Sequence, residues 1–124
     1  MAKIVIKDLL LRTVVGFNPH EVGKKQDLLL NISIEYTTRG EEVSDKPSDA
    51  LNYRDICKKV IALVEGNHFN LLEKVANDVV ELLLAEPRIE RVEVEVDKPH
   101  ALRFARSVSF SLSKSKSAID NNCK

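Results

Sequence analysis

Apolar and polar positions alternate roughly from Lys3 to Val15, with Ile4, Ile6, Leu9 and Leu11 as the apolar members, and a period of two predicts a strand. From Leu28 to Tyr36 the alternation is cleaner. Leu28, Leu30, Ile32, Ile34 and Tyr36 share one face, and Leu29, Asn31, Ser33 and Glu35 share the other. Between the two strands, Gly16 to Lys25 is a polar loop with two glycines and a proline. It is longer than a hairpin needs, and long loops on rigid sheets often carry function. The two strands are expected to pair antiparallel around it.

Thr37 to Asn52 is polar, charged and contains Pro47, and reads as a connection. The period then changes. Tyr53, Ile56, Cys57, Val60, Ile61 and Val64 recur at three-and-four spacing, which predicts a helix capped by Asn52 and ended by Gly66. A second stripe, Leu72, Val75, Ala76, Val79, Val80 and Leu83, predicts a helix that starts at Asn70 and cannot continue past Pro87. Val92, Val94 and Val96 alternate with charged residues in a third strand. Asp97 to Arg103 is the next connection, and Phe104, Val108, Phe110 and Leu112 form a fourth strand.

The order is ββααββ, an α+β arrangement in which two helices cover one face of a four-stranded antiparallel sheet. Such a sheet leaves two edges unpaired, a liability that pairing between copies into a larger barrel removes. A two-layer unit this small has little room for a deep private pocket, so a site at a seam between subunits is expected.

Length and charge narrow the picture. The chain has 124 residues, room for one domain, expected over 1–113, with a polar frayed tail over 114–124. Nineteen basic and 19 acidic residues cancel, so no bulk electrostatic pull toward nucleic acid or a membrane surface follows. No apolar run approaches the ~20 residues of a membrane span. Asp8 interrupts the N-terminal apolar stretch, against a signal peptide. Cys57 falls on an apolar helix face and Cys123 in the tail, so no disulfide is expected and a reducing cytoplasm fits. No internal repeat is present.

Candidate chemistry sits in the polar segments. Glu21 lies in the first loop, Tyr53 at the start of the first helix, Glu73 at the start of the second and Lys98 at the end of the third strand. Each has a plain structural explanation. Glu73, three residues after Asn70, can reach back to the helix start in a capping box; alternatively it is a carboxylate aimed at a flat ring rich in N–H groups. Glu21 and Lys98 can be solvated, and Tyr53 a first-turn aromatic. There is no phosphate-binding Gly-Lys-Ser/Thr loop, dinucleotide glycine fingerprint or Gly-x-Ser-x-Gly elbow. His20, His68 and His100 are isolated in sequence, so no metal site is expected.

Five stretches together resemble a known family. They are Leu-Leu-Leu-Arg-Thr-Val-Val-Gly (9–16), Glu21 five residues before Gln26, Ala-Leu-Asn-Tyr-Arg (50–54), Asn-Leu-Leu-Glu-Lys (70–74) and Asp-Lys-Pro-His-Ala-Leu-Arg-Phe-Ala (97–105). Over residues 3–113 the chain is similar to the dihydroneopterin aldolase family, and its Leu-Arg-Thr, Ala-Leu-Asn-Tyr-Arg and Asp-Lys-Pro-His-Ala-Leu-Arg pieces resemble the epimerising branch. The resemblance implies the tunnelling fold, in which ββααββ units join in a tetrameric β-barrel, often stacked as an octamer, with sites between subunits. It implies that Glu73 grips the amino-pyrimidinone edge of a pterin with help from the backbone at Leu71 and Leu72. Leu51, Asn52 and Tyr53 would come from the neighbouring subunit. Lys98 would move protons, Tyr53 would complete the relay, and Glu21 would hold a hydroxyl or a water.

The activity implied is inversion at C2′ of 7,8-dihydroneopterin triphosphate by retro-aldol and aldol steps. The ring itself is the electron sink, so no cofactor is called for. The triphosphate calls for cations, and the candidates beside the loops are Arg103 first, then Lys24, Lys25, Arg106, Arg54 and Arg12. Two alternatives stand: a dihydroneopterin aldolase releasing 6-hydroxymethyl-7,8-dihydropterin and glycolaldehyde, and a non-catalytic pterin-binding or structural ring protein.

Overall fold

The computed structural model describes residues 1–116. Strands β1 (Ala2–Val15) and β2 (Lys25–Tyr36) pair antiparallel around the 16–24 loop, as the alternation predicts. The roughness of the first strand has a cause. A bulge between Ile6 and Leu9, with Asp8 at φ 52, inserts an extra residue and moves the inward face from Ile4 and Ile6 to Leu9, Leu11, Thr13 and Val15. The Asn31 Oδ1 atom accepts from Asp8 N at 2.9 Å and satisfies the backbone there. On β2 the predicted inward row, Leu28, Leu30, Ile32 and Ile34, is fully buried. Burying each such side chain contributes about 1.5–3 kcal/mol, so a one-residue slip that put Asn31 and Ser33 in the core is strongly disfavoured.

The connection after β2 is not featureless: it holds a one-turn helix α1 (Glu41–Ser44) and a 3-10 turn (Pro47–Asp49). Arg88 anchors it, donating from Nη1 to Asp49 O at 2.7 Å, from Nη2 to Glu41 Oε2 at 2.7 Å and from Nε to Thr37 O at 3.1 Å. Helix α2 (Tyr53–Glu65) follows, with Asn52 accepting from Asp55 N at 3.1 Å as an N-cap and Gly66 as the C-cap. Its buried stripe is Ile56, Val60 and Val64, whereas Tyr53 points out.

Two expectations fail at the next element. The sheet has a fifth strand, β3 (His68–Phe69), which pairs parallel with Val14 and Val15. Gly16 N donates to Phe69 O at 3.0 Å, which keeps the chain extended past Asn70. Helix α3 (Leu72–Leu84) therefore has Leu71 as its N-cap, and no side chain caps it. Asn70 is not the cap, and the Asn70–Glu73 capping box does not form.

Strand β4 (Ile89–Pro99) pairs antiparallel with β2, and β5 (Ser107–Ser115) with β4, giving the order β3-β1-β2-β4-β5. The sheet is mixed rather than purely antiparallel because of the two β3 residues, too few to leave a periodic signal. Asp97 to Pro99 belong to β4 rather than to the connection, and Phe104 precedes the last strand. His100, at φ 62, turns the chain and its N–H meets Arg106 O at 3.3 Å, so residues 101–106 form a loop and Phe104 is 96% exposed. Beyond Ser113, β5 runs on to Ser115, and Lys114 Nζ donates to Asn77 and Glu81 on α3. The rest of the expected tail, 117–124 with Cys123, lies outside the described residues.

Helix α3 packs over β4 and β5, and α2 over β1. Their buried valines and leucines meet the inward rows in one core. The opposite sheet face carries no helix; Asn31, Glu95 and Ser111 lie side by side across β2, β4 and β5, and Val5 and Leu10 are exposed on β1. No helix among the described residues is long and apolar enough to cross a membrane.

Candidate active site

Lys98 continues the inward row Val92, Val94, Val96, at the end of β4 where the helices no longer cover the sheet. The start of α3 and the 16–24 loop enclose it instead, and Lys98 is only 8% exposed. An ammonium taken out of water needs a partner. Glu21 supplies it, accepting from Lys98 Nζ at Oε2.

Local turns aim Glu21 inward. Glu21 N and Val22 N both donate to Asn18 O, and Lys24 N donates to Glu21 O. Gly16 adopts φ 132, and a Cβ built there would lie 2.6 Å from the Glu21 carboxylate. Only glycine lets the carboxylate rest against the chain at this point. Gln26 Nε2 donates to Glu21 Oε2 at 3.2 Å and Asn18 Nδ2 to Oε1 at 3.0 Å. The hydrogen bond from Lys98 is the largest influence on the acid. Gln26, the Lys98 charge and Asn18 add to it, burial opposes it, and the carboxyl is held down from 4.5 to about 2.

Glu21 and Lys98 line a cavity of about 270 Å³. Leu71, Leu72 and Glu73, at the start of α3, line it too. Glu73 is exposed and has no hydrogen-bond or ion-pair partner among the described residues. With no side-chain cap, the first-turn N–H groups of α3 remain open to a carbonyl oxygen, while Glu73 offers acceptors to N–H donors. The rim carries exposed Phe17 and Leu102. The cavity volume is close to the roughly 300 Å³ at which small-molecule sites begin.

The other candidates lie elsewhere. Leu51, Asn52, Tyr53 and Arg54 line a separate cleft of about 220 Å³ with Pro47 and Ala50. Leu51 is itself buried and Asn52 is engaged as the α2 cap, while Tyr53 is 57% exposed. The basic candidates are scattered. Arg12 pairs with Asp27 at 3.4 Å and donates to Lys25 O, Lys24 and Lys25 are exposed at the turn into β2, and Arg103 lies 5.5 Å from the centre of the Phe104 ring. Arg106 lines a cavity with Asp97 and Asp8. None of the six lines the Lys98 cavity. Sequence reasoning gave no role to Gly16, Asn18 or Gln26. The glycine before a polar loop and the spacing of Glu21 from Gln26 were the available signals; Asn18 carries none, since its partner is set by the folded loop.

The arrangement places a buried ammonium–carboxylate pair in one cavity with an unpaired carboxylate at an uncapped helix start. It can hold a planar ring by its N–H edge and move a proton at the far end.

The sequence profile of the dihydroneopterin aldolase family matches residues 4–113. The chain is 46% identical to the dihydroneopterin triphosphate 2′-epimerase of Pseudomonas aeruginosa over 112 residues, covering 90% of this chain and 91% of that protein. It is 44% identical to the enzyme of the same name from Escherichia coli K12, covering 90% of this chain and 93% of that one. Among solved structures, E. coli dihydroneopterin aldolase in complex with neopterin superposes with a TM-score of 0.87 at 33% identity, over 93% of this chain and 100% of that chain.

Proposed function

The chain belongs to the dihydroneopterin aldolase family, and from that membership we propose that it is an epimerase, converting 7,8-dihydroneopterin triphosphate to 7,8-dihydromonapterin triphosphate. The observation that carries this reading is the greater identity to two named epimerases than to the aldolase, across nearly the whole described chain. The neopterin in the aldolase crystal supports a pterin as the ring that is bound.

C2′ of the substrate bears no acidic C–H, so direct proton abstraction there is poor chemistry. The retro-aldol route is better. The 2′-hydroxyl loses its proton, its O–H electron pair forms the aldehyde C=O, and the C1′–C2′ bond breaks. That pair passes into the conjugated dihydropterin ring as an enol at C1′. The aldehyde turns, the enol carbon attacks its other face, and the 2′-oxygen regains a proton. Glu73 accepts from the amino-pyrimidinone edge, with the backbone at Leu71 and Leu72 assisting. Lys98 and Glu21 manage the 2′-oxygen and its proton, and Tyr53 of a neighbouring subunit completes the relay. Keeping the fragment in place favours recapture, since effective molarities reach ~10⁵ M or more.

A second copy completes the site. Support comes from the separation of the Tyr53 cleft from the Lys98 cavity, the place of β5 at the end of the sheet among the described residues and the exposed Phe17, Leu102 and Phe104. The assembly is a tetramer or octamer of this chain, in the cytoplasm. Arg103, just beyond the Ala101 and Leu102 wall, is the first candidate for the triphosphate.

The test is a product assay on dihydroneopterin triphosphate and on dihydroneopterin, resolving monapterin from hydroxymethyl-pterin. Mainly monapterin, with the triphosphate preferred, supports the epimerase. Mainly hydroxymethyl-pterin from the unphosphorylated compound makes the chain an aldolase.

A further inference from the structure

We propose that Gln26 is a positioning residue for this reaction: its side-chain amide ties the Glu21 carboxylate to the end of β1 and so fixes where the Lys98 ammonium is held. The inference rests on the epimerase–aldolase reading of the cavity. Glu21 rides on the 16–24 loop, outside the strands. Lys98 stands in the β4–β5 ladder opposite Val108 but reaches Glu21 on a flexible four-carbon stem. Gln26 lies in the β1–β2 ladder opposite Thr13, so its backbone is held by the sheet. Its Nε2 donates to Val15 O at 2.9 Å and to Glu21 Oε2 at 3.2 Å, which uses both amide protons. The oxygen it holds is the one that accepts from Lys98. Asn18 holds the other oxygen, but from within the same loop.

The groups facing Glu21 are few. Lys98 faces it from β4, Gln26 from β2 and Asn18 from its own loop, while Glu73 of α3 is the other titratable side chain around the cavity. Without Gln26, the carboxylate loses its link to the sheet, and Lys98 loses its fixed distance from the bound ring. Gln26 does not line the cavity, so substrate binding at the Glu73 end is untouched.

The experiment compares wild type, Gln26→Leu and Asn18→Ala in two ways. The first is steady-state kinetics with dihydroneopterin triphosphate. The second is the pH titration of the Glu21 carboxyl carbon by NMR in the substrate-free protein, assigned by its loss in Glu21→Gln. In Gln26→Leu, kcat falls by about tenfold or more, the size of effect expected on losing a hydrogen bond to a charged group, while KM stays within about twofold. The Glu21 signal begins to titrate at higher pH than in wild type. Asn18→Ala, at an exposed loop position, moves the titration in the same direction and guards against a folding failure of the first variant. Unchanged kcat and titration in both variants overturn the proposal, as does a rise in KM with kcat retained. If the wild-type chain turns over neither dihydroneopterin triphosphate nor dihydroneopterin, the underlying reading fails. A raised titration then still establishes the tether, and an unmoved one overturns it.

Discussion

Glu21 and Lys98 stand 77 residues apart in the chain and meet as a hydrogen-bonded ion pair at the end of β4. One comes from a loop and the other from the last inward position of a strand. The pair is buried enough to matter, and removing either member leaves the other uncompensated.

Lys98→Ala is therefore expected to lower kcat/KM by about 10³ or more, in the range of lost general acid–base catalysis. Size-exclusion chromatography should show the wild-type assembly. Full activity in this variant would remove Lys98 from the proton transfers.

The lowered pKa of Glu21 predicts a pH-dependent stability. Its folded value lies near 2, below its ordinary 4.5. The stabilisation it brings is complete above 4.5 and is lost as pH falls toward 2. Melting curves between pH 6 and 2.5 should show a fall in Tm for wild type that is shallower in Glu21→Gln. Parallel curves would mean that the pair does not contribute.

Glu73 has no partner among the described residues, so Glu73→Gln should change stability by less than about 0.5 kcal/mol. A capping carboxylate would cost about 1 kcal/mol on removal. The same variant should raise KM for the pterin by about tenfold or more, since it loses charged acceptors for two N–H donors. Urea melts and substrate saturation curves measure the two effects separately.

Arg88 anchors the segment that leads to Tyr53, through Glu41 and two carbonyls, and its guanidinium lies 5.6 Å from the centre of the Tyr36 ring. Arg88→Lys cannot reach three divergent acceptors with one ammonium. It should lower Tm by about 5 °C or more and raise KM, because the Tyr53 cleft loosens. An unchanged melting curve would show that the connection is held by other contacts.

Much of the fold could be read from periodicity. The inward rows of β2 and β4 and the stripes of α2, Tyr53 excepted, and α3 were correct because burial on one face imposes a repeat that survives in the letters. The Asn52 cap was visible for the same local reason. The Asn70 cap was not, because β3 borrows two residues for a parallel pairing with distant β1 and holds the chain extended through Leu71. Phe104 kept the strand period yet lies in a loop, since the turn at His100 depends on backbone geometry and not on alternation.

The sequence by itself determined the order of the four long strands and the two long helices, most of the core residues and, through its motifs, Glu21, Tyr53, Glu73 and Lys98 as the candidates. Only the tertiary structure decided that Glu21, Glu73 and Lys98 share one cavity while Tyr53 lies in another, and that Gly16, Asn18 and Gln26 build the carboxylate's seat. Period and capping are local properties, encoded within a few residues. Which side chains meet across 77 positions depends on strand register, loop closure and the end of helix cover, and these are settled only when the whole sheet packs.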